Sequence, residues 1–154
     1  MWFYRLAKTK YLDSAFSGDG AKHSGGRWNN EGVPCVYGSL HEAQAILEVY
    51  VHLQSAQPLD SYTFSRIKLN ESDVFTMSPQ ALPAGWNNPS GSRHARAIGD
   101  GWLRSGESLA LIVPSVFTRH ESNILINPEH PDLESRLTTL ETWPFKFDSR
   151  LVKG

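Results

Sequence analysis

Short runs of apolar residues, separated by glycine, proline and polar residues, predict a series of β-strands along the chain. Strands are predicted at residues 2–7, 34–39, 62–69, 74–77, 108–116, 123–127 and 144–152. The run at 108–116 (SLALIVPSV) is nearly all apolar and is typical of a central buried strand, which Pro114 ends by removing a ladder donor. Because strands and helices do not alternate regularly, the pattern favours an α+β domain with a mixed, mostly antiparallel sheet over a doubly wound fold.

Two helices are predicted from the same pattern. The clearer one runs from Leu40 to about Leu53, and Ser39 with Glu42 has the spacing of a capping box that would satisfy its first free amides. The other covers residues 93–105 (RHARAIGDGWLRS) and is weakened by its two glycines. Between these elements, two segments rich in turn-forming residues are predicted to be irregular.

The first helix has an apolar face and a separate polar stripe when its residues are placed at about 100° intervals. The residues predicted to face the core are Leu40, Ala43, Ile46, Leu47, Tyr50, Val51 and Leu53. Glu48 falls on a different, narrower stripe, which it shares with His41 and His52. We therefore expect the Glu48 carboxylate to point away from the apolar core.

The irregular segments are residues 13–35, rich in Gly, Ser, Asn and Asp, and residues 78–92, which contain three prolines. The first is predicted to be one long loop, and residues 128–133 (PEHPDL) a turn. Long loops inside a small domain are usually functional or disordered. The loop at 13–35 is therefore the first place to look for a binding site.

Length, composition and net charge indicate the number of domains and the kinds of ligand that the chain is expected to bind. The chain has 154 residues, 40% of them hydrophobic and 20% charged, so residues 1–154 are predicted to form a single globular domain. Its 15 Lys and Arg against 16 Asp and Glu give a formal net charge of −1, whereas a protein that grips nucleic acid unaided usually has a basic excess. Direct nucleic-acid binding is therefore not expected, although an anionic small molecule needs only one or two cations.

The single cysteine, Cys35, excludes an internal disulfide framework and a multi-cysteine zinc site. It lies in GVPCVYGS, where a small buried apolar residue is the better interpretation than a nucleophile. No metal site is predicted, since no His-Glu-x-x-His pattern occurs. The N-terminal order of aromatics before lysines is the reverse of a secretory signal, and no apolar run reaches the ~18 residues of a membrane span. A soluble cytoplasmic protein is expected.

Arg27 is the first candidate functional residue, in the stretch HSGGRWNNEG (23–32). Flanking glycines, Gly25 and Gly26, would let the backbone approach a phosphate that the guanidinium clamps. The stretch equally suits a surface arginine in a turn, and it matches neither the Walker loop nor Gly-x-Gly-x-x-Gly. Trp28 beside it is either a ligand-stacking surface or an anchor of the loop.

Three further residues have a structural and a functional interpretation each. Glu48 is either solvated or an acid that steadies a developing cation or orients a sugar hydroxyl. Tyr37 is either a core aromatic or a ring stacked on a ligand base. Ser115 follows the central strand, near where α/β sites are built, but without the Gly-x-Ser-x-Gly elbow of serine hydrolases. Together with Arg27 they suit a ligand that carries phosphate and ribose, without requiring one.

At these positions the sequence resembles the RES domain family, which is named for an Arg, a Glu and a Ser and consists of toxins of bacterial toxin–antitoxin pairs. The matching segments are Arg5, GGRWNNEG (25–32), VYGS (36–39), AILEVYVHL (45–53), VPS (113–115), NILINPEHP (123–131) and FKFDSRL (145–151). No single segment is decisive, but their order and spacing make the resemblance specific. They span nearly the whole chain.

The resemblance implies a fold similar to that of ADP-ribosyltransferases and cleavage of the nicotinamide–ribose bond of NAD, with water or phosphate as acceptor. NAD would be a substrate, inorganic phosphate would be a co-substrate if phosphate is the acceptor, and no bound cofactor is implied. The catalytic residues carried over are Arg27 for the pyrophosphate or ribose, Tyr37 for the nicotinamide pocket, Glu48 for the nicotinamide ribose, and Ser115 in the same cleft. The ligand-binding residues carried over are Gly26, Arg27, Asn29, Tyr37 and Asn127. Asn29, Asn127 and His130 match motif positions without a specific role.

The resemblance also implies partners and leaves two alternatives. A cognate antitoxin with an Xre-type helix-turn-helix would block the NAD cleft, and the toxin would be a homodimer. The alternatives are a mono-ADP-ribosyltransferase that modifies a macromolecule and an inactive module that only binds a partner. Many protein-modifying ADP-ribosyltransferases have a second acid two residues before the catalytic glutamate, and here that position is Ile46. This departure makes a protein acceptor less expected.

Overall fold

A computed structural model of the chain describes residues 1–53 and 61–151, in which seven strands form one sheet. The strands are β1 (Trp2–Lys8), β2 (Val36–Ser39), β3 (Tyr62–Lys68), β4 (Val74–Thr76), β5 (Ala110–Pro114), β6 (Ser122–Ile126) and β7 (Glu141–Phe145). The α-helices are α1 (Asp19–Ser24), α2 (Glu42–Tyr50), α3 (Arg93–Ser105) and α4 (Leu133–Leu137). The predicted α+β class is confirmed.

The sheet has the order β4-β5-β6-β2-β1-β3-β7. All neighbouring strands are antiparallel except β4 and β5, which are parallel, so the predicted mixed and mostly antiparallel sheet is confirmed. β1 pairs with β3 along its whole length, but it meets β2 only at the pair Tyr4–Ser39. The sheet therefore consists of two well-paired halves that are joined at one point.

Three apolar clusters fill the two faces of this sheet. One surrounds Phe3 and Ile67 near the join of the halves, and another packs α3 on β5 and β6 through Trp102 and Leu111. The third lies under α2 and contains Phe64. Burial of apolar surface of this kind is the main stabilising contribution in a domain of this size. It packs α3 against the half of the sheet that contains β5 and β6, and α2 against the half that contains β1 and β3.

The predicted capping box at the start of α2 is wrong. The helix begins at Glu42, its N-cap is His41, and no side chain caps it. Ser39 is instead the last residue of β2, and its hydroxyl donates to Asn123 Oδ1 at 3.1 Å. The Ser-x-x-Glu spacing was misleading because the strand continues up to the serine, which leaves its side chain to the neighbouring strand.

The predicted core face of α2 is also wrong in part. Ala43 and Tyr50 are exposed, whereas Gln44 and Ala45 are buried against the sheet. Glu48 lies one turn after Gln44, so it faces the sheet rather than sharing an outward stripe with the exposed His41 and His52. The distribution of apolar residues predicted the wrong buried side of α2, because the side that faces the sheet carries the polar residues Gln44 and Glu48.

Other differences concern short elements. A 3-10 helix at Thr9–Ser14 ends within the first residues of the segment 13–35, and α1 lies inside that segment, which was predicted as one loop. The helix α4 was not predicted. The last strand is β7, earlier than the predicted strand at 144–152, because the chain turns into a 3-10 helix at Ser149–Leu151. Val152 of that prediction lies outside the described residues. The second helix, α3, has the predicted bounds.

Cys35 is buried as predicted, and burial raises the pKa of its thiol, which therefore stays protonated and unreactive. Within residues 1–53 and 61–151, no group of three or more His, Cys, Asp or Glu side chains is placed to hold a metal ion. None of the helices in these residues has the length and apolar character needed to cross a membrane.

Candidate active site

A cavity of about 1470 Å³ opens where the two halves of the sheet meet. Its wall is formed by β1, β2, α2, the loop at 25–31 and part of the segment 87–91. Arg27, Tyr37 and Glu48 all line it, so the structure brings three of the predicted catalytic residues together. The volume exceeds the ~300–1,000 Å³ that is usual for drug-sized ligands. A ligand of dinucleotide size therefore has room here.

Glu48 is held in place through one of its two carboxylate oxygens. Its Oε1 accepts hydrogen bonds from Asn123 Nδ2 at 2.6 Å, Gln44 Nε2 at 3.0 Å and Ser115 Oγ at 3.1 Å. Among the described residues, no hydrogen bond reaches Oε2. Because Glu48 lines the cavity, this arrangement leaves a negatively charged oxygen available to a ligand in a fixed orientation.

The residues that hold Glu48 are themselves fixed by hydrogen bonds. Gln44 Nε2 also donates to Ser115 Oγ at 2.9 Å, and Ser115 Oγ accepts from the Phe117 amide at 3.1 Å. Asn123 Oδ1 accepts from Ser39, which orients its amide nitrogen toward Glu48. Ser115 is buried behind Glu48 and does not line the cavity, so it supports the carboxylate from behind.

Arg27 lines the cavity together with Glu48. Its Nη1 donates to the carbonyl oxygens of Trp86 and Asn88, each at 2.9 Å, which ties the loop at 25–31 to the segment 86–88. Burial lowers the pKa of Arg27, and the Glu48 carboxylate acts in the opposite direction. A guanidinium remains charged at neutral pH after such a shift. The cavity thus presents a cation and an anion from two separate elements.

Tyr37 connects β2 to the loop that carries Arg27. Its hydroxyl donates to Asn29 Oδ1 at 2.6 Å and accepts from the Trp28 amide at 3.0 Å. Burial raises the pKa of Tyr37, so its phenol stays protonated at neutral pH and acts as a hydrogen-bond donor, not as a base. Its ring still lines the cavity.

The loop at 25–31 is held by buried contacts that its sequence suggests only in part. Asn29 is fully buried, and its Nδ2 donates to the carbonyl oxygens of Ala21 and Val33, each at 2.9 Å. At Gly26 an added Cβ would lie 2.6 Å from the Tyr37 hydroxyl, so a glycine is required there. Trp28 is buried and stacks on Trp86 with ring centroids 5.9 Å apart, so its side chain anchors the loop.

Arg5 on β1 is a further cation on the cavity wall. Its Nη1 donates to the Tyr37 carbonyl at 2.7 Å, across the gap between β1 and β2 where the strands do not pair. Burial lowers the pKa of Arg5, and its buried Nε has no hydrogen-bond partner in the described part of the chain. The guanidinium therefore fills the point where the two sheet halves separate.

Two residues of the predicted motifs lie away from the cavity. Asn127 is buried, its Nδ2 donates to the Leu103 carbonyl at 3.0 Å, and its Oδ1 accepts from the Glu129 amide at 3.0 Å. His130 Nδ1 accepts from the Asp132 amide in the turn before α4. The structure gives Asn127 the role of joining α3 to this turn, which differs from the predicted contact with a ligand.

Gln44 and Asn123 are the site residues that sequence reasoning missed. The signal for Gln44 was its position four residues before Glu48, which places the two side chains one above the other on a helix. No such signal exists for Asn123, because its proximity depends on the register that pairs it with Ser39 of β2. Registers between distant strands cannot be read from the order of residues alone.

Comparison with known proteins finds a family and relatives that match nearly the whole chain. A family model described as "RES domain" matches residues 3–148. The chain is 38% identical over 154 residues to "Toxin Res" of Photorhabdus laumondii, covering 100% of this chain and 99% of that protein. It is 34% identical over 151 residues to "Toxin Res" of Yersinia enterocolitica, covering 98% and 99%. It is 36% identical over 157 residues to "Prs ADP-ribosylating toxin" of a Sphingobium species, covering 98% and 96%.

Proposed function

The chain belongs to the RES domain family, and we propose that it is a toxin that consumes NAD by cleaving the nicotinamide–ribose bond. One observation carries the proposal: the fixed carboxylate of Glu48 and the guanidinium of Arg27 line one cavity of about 1470 Å³. The first suits a ribose that becomes positively charged, and the second suits a pyrophosphate. NAD contains both groups in one molecule.

The reaction needs few groups from the protein. When the bond between C1′ of the ribose and the nicotinamide nitrogen breaks, both electrons leave with the nitrogen and nicotinamide departs neutral. The ribose becomes oxocarbenium-like, as in glycoside cleavage. The Glu48 carboxylate stabilises this positive charge, and an oxygen of water or phosphate then bonds to C1′ and loses its proton to solvent. No general acid is needed for the leaving group, so one carboxylate suffices.

Incubation of the purified protein with NAD tests this function. We expect stoichiometric release of nicotinamide, with ADP-ribose as the second product if water is the acceptor and its phosphorylated form if phosphate is. Chromatography with and without inorganic phosphate separates the two. If NAD persists under both conditions, the proposed function is wrong. The assay needs protein freed of any bound antitoxin.

A second candidate function is the transfer of ADP-ribose to a macromolecule. It is favoured by the relative that is named "Prs ADP-ribosylating toxin" and is 36% identical to this chain. Ile46, two residues before Glu48, argues against a protein acceptor, because its half-buried side chain packs in the cluster under α2 and offers no acid to activate a nucleophile. Label from NAD that stays on precipitated protein would establish this transfer.

Gln44 should be a positioning residue for this reaction. Gln44→Met keeps the length of the side chain and removes the donor to Glu48 Oε1 and Ser115 Oγ. We expect kcat to fall about tenfold, the usual effect of one hydrogen bond to a charged group, with KM within about twofold. Steady-state kinetics on NAD measure both. Gln80→Met on the exposed 3-10 helix Pro79–Ala81 is the control, and an unchanged kcat in Gln44→Met would refute the role.

We also propose that a cognate antitoxin with an Xre-type helix-turn-helix inhibits the protein by covering the cavity, and that the toxin is a homodimer. The family resemblance supports both statements. Co-expression with the product of a neighbouring gene that encodes such a helix-turn-helix protein should yield a complex without NAD-cleaving activity. Recovery of two fully active, separate proteins would contradict the inhibition.

A further inference from the structure

The cavity wall is more basic than the chain as a whole. Among the described residues, four basic side chains (Arg5, Lys8, Arg27 and Arg96) and two acidic ones (Glu31 and Glu48) line it, although the whole chain has a formal net charge of −1. Positive charge that is concentrated in one cleft attracts anionic ligands. Arg96 is the member of this group that the function described above leaves unexplained.

The guanidinium of Arg96 is oriented by a short chain of hydrogen bonds. The buried carboxylate of Asp100 accepts hydrogen bonds from the backbone N–H of Asn30 at 3.0 Å and from the side-chain Nδ2 of Asn30 at 2.7 Å. This fixes the side-chain amide of Asn30, whose Oδ1 then accepts from Arg96 Nε at 3.2 Å. Only Nε is used in this contact, so the two Nη groups keep their donors.

Arg96 and Arg27 both lie against the same segment of the cavity wall. Arg27 donates to the carbonyl oxygens of Trp86 and Asn88, while an added Cβ at Gly91 would lie 3.0 Å from Arg96 Nη1. Arg27 is also part of the loop at 25–31, and Arg96 contacts that loop through its hydrogen bond to Asn30. Within residues 1–53 and 61–151, neither arginine forms an ion pair with a carboxylate. Two guanidinium groups thus lie beside the same segment of the cavity wall.

The position of Arg96 on α3 is unfavourable without an anion. It follows Arg93 in the first turn of the helix, where no acidic residue occurs. Cations near a helix N-terminus oppose the helix dipole, which is unfavourable. A bound anion offsets this unfavourable interaction, so the placement is consistent with a binding residue.

We propose that Arg96 binds the pyrophosphate of NAD together with Arg27, so that the two arginines form one diphosphate site at the end of the cavity bounded by residues 86–91. This inference rests on the proposed function, in which NAD is the substrate. Paired guanidinium groups match the two charges of a diphosphate, since each presents a planar set of donors.

The variant Arg96→Gln tests the site, with Arg93→Gln, which is exposed and does not line the cavity, as the matched control. We expect Arg96→Gln to raise KM for NAD about tenfold with little change in kcat, as for loss of one charge-assisted contact. With nicotinamide riboside, which lacks the pyrophosphate, the variant and the wild type should have equal kcat/KM. Arg93→Gln should match the wild type on both substrates.

Other outcomes overturn the assignment. An equal loss on nicotinamide riboside would mean that Arg96 supports the fold or the ribose site. A raised KM for inorganic phosphate with an unchanged KM for NAD would mean that Arg96 binds the co-substrate. Calorimetric titration with ADP-ribose separates this test from that of the proposed function, since it needs no cleavage. Tenfold weaker binding in Arg96→Gln supports the site even if the wild type is inactive on NAD, and equal binding refutes it.

Discussion

Glu48→Gln is expected to lower kcat for NAD cleavage by about a hundredfold to a thousandfold, with a free energy of unfolding close to that of the wild type. The amide oxygen of glutamine can take the place of Oε1 and accept from Gln44, Ser115 and Asn123. The fold therefore loses little. The negative charge that would stabilise the oxocarbenium-like ribose is lost entirely, and fixed charges of this kind are among the largest contributions to catalysis.

The measurement is nicotinamide release under single-turnover conditions, together with thermal unfolding. Glu42→Gln provides the control, because Glu42 begins the same helix, is exposed and does not line the cavity. It should retain activity within about twofold. A Glu48→Gln protein that keeps more than a tenth of the wild-type rate would show that the carboxylate charge is not needed, and the proposed mechanism would fail.

The sequence allowed the reacting groups to be predicted better than the groups that hold them. Arg27 and Glu48 have charged side chains, which are candidates for binding or catalysis in any fold. The order and spacing of the segments that resemble the RES family were enough to assign both residues to one site. Gln44 and Asn123 are ordinary polar residues, and they become significant only because α2 packs on β1 and β2 with Gln44 on its buried side, within reach of Asn123 on β6. That placement follows from packing, which the linear pattern does not encode.

Helix α2 illustrates why the rest could not be predicted. Its apolar residues outnumber its polar ones on the side that was predicted to face the core, yet Tyr50 on that side points outward and donates to the Leu151 carbonyl at 2.9 Å. The side that faces the sheet carries Gln44 and Glu48, because the helix closes a polar cavity there. Periodicity identifies a helix correctly, but it cannot identify the buried side when that side contains a functional site.

The two glycines of α3 are a second case in which the sequence pattern alone does not reveal the role of a residue. From the sequence, Gly99 and Gly101 only weaken the predicted helix, since each costs about 1 kcal/mol relative to alanine. In the structure they differ. A Cβ at Gly99 would overlap the backbone carbonyl of Trp28, at 1.7 Å from its oxygen, whereas a Cβ at Gly101 would meet nothing within 4 Å. Gly99 therefore allows the loop that carries Arg27 to pack directly on α3.

Gly99→Ala is expected to destabilise the protein by about 3 kcal/mol, the upper part of the usual range for overpacking, because a backbone cannot move aside as a side chain can. For a chain of this length that corresponds to a decrease in Tm of about 10 °C. Gly101→Ala, two residues away on the same helix, should instead raise the free energy of unfolding by roughly 0.5–1 kcal/mol. Calorimetric unfolding of both variants measures the difference.

The activity of the folded Gly99→Ala protein connects this contact to the site. Displacement of Trp28 moves the adjacent Arg27, so kcat/KM for NAD should fall about tenfold or more at a temperature well below Tm. Gly101→Ala should keep the wild-type value, since its added methyl group is exposed to solvent and far from any contact. Equal Tm values for the two variants would contradict the packing of Trp28 on Gly99. A destabilised but fully active Gly99→Ala would instead show that Arg27 keeps its position without that support.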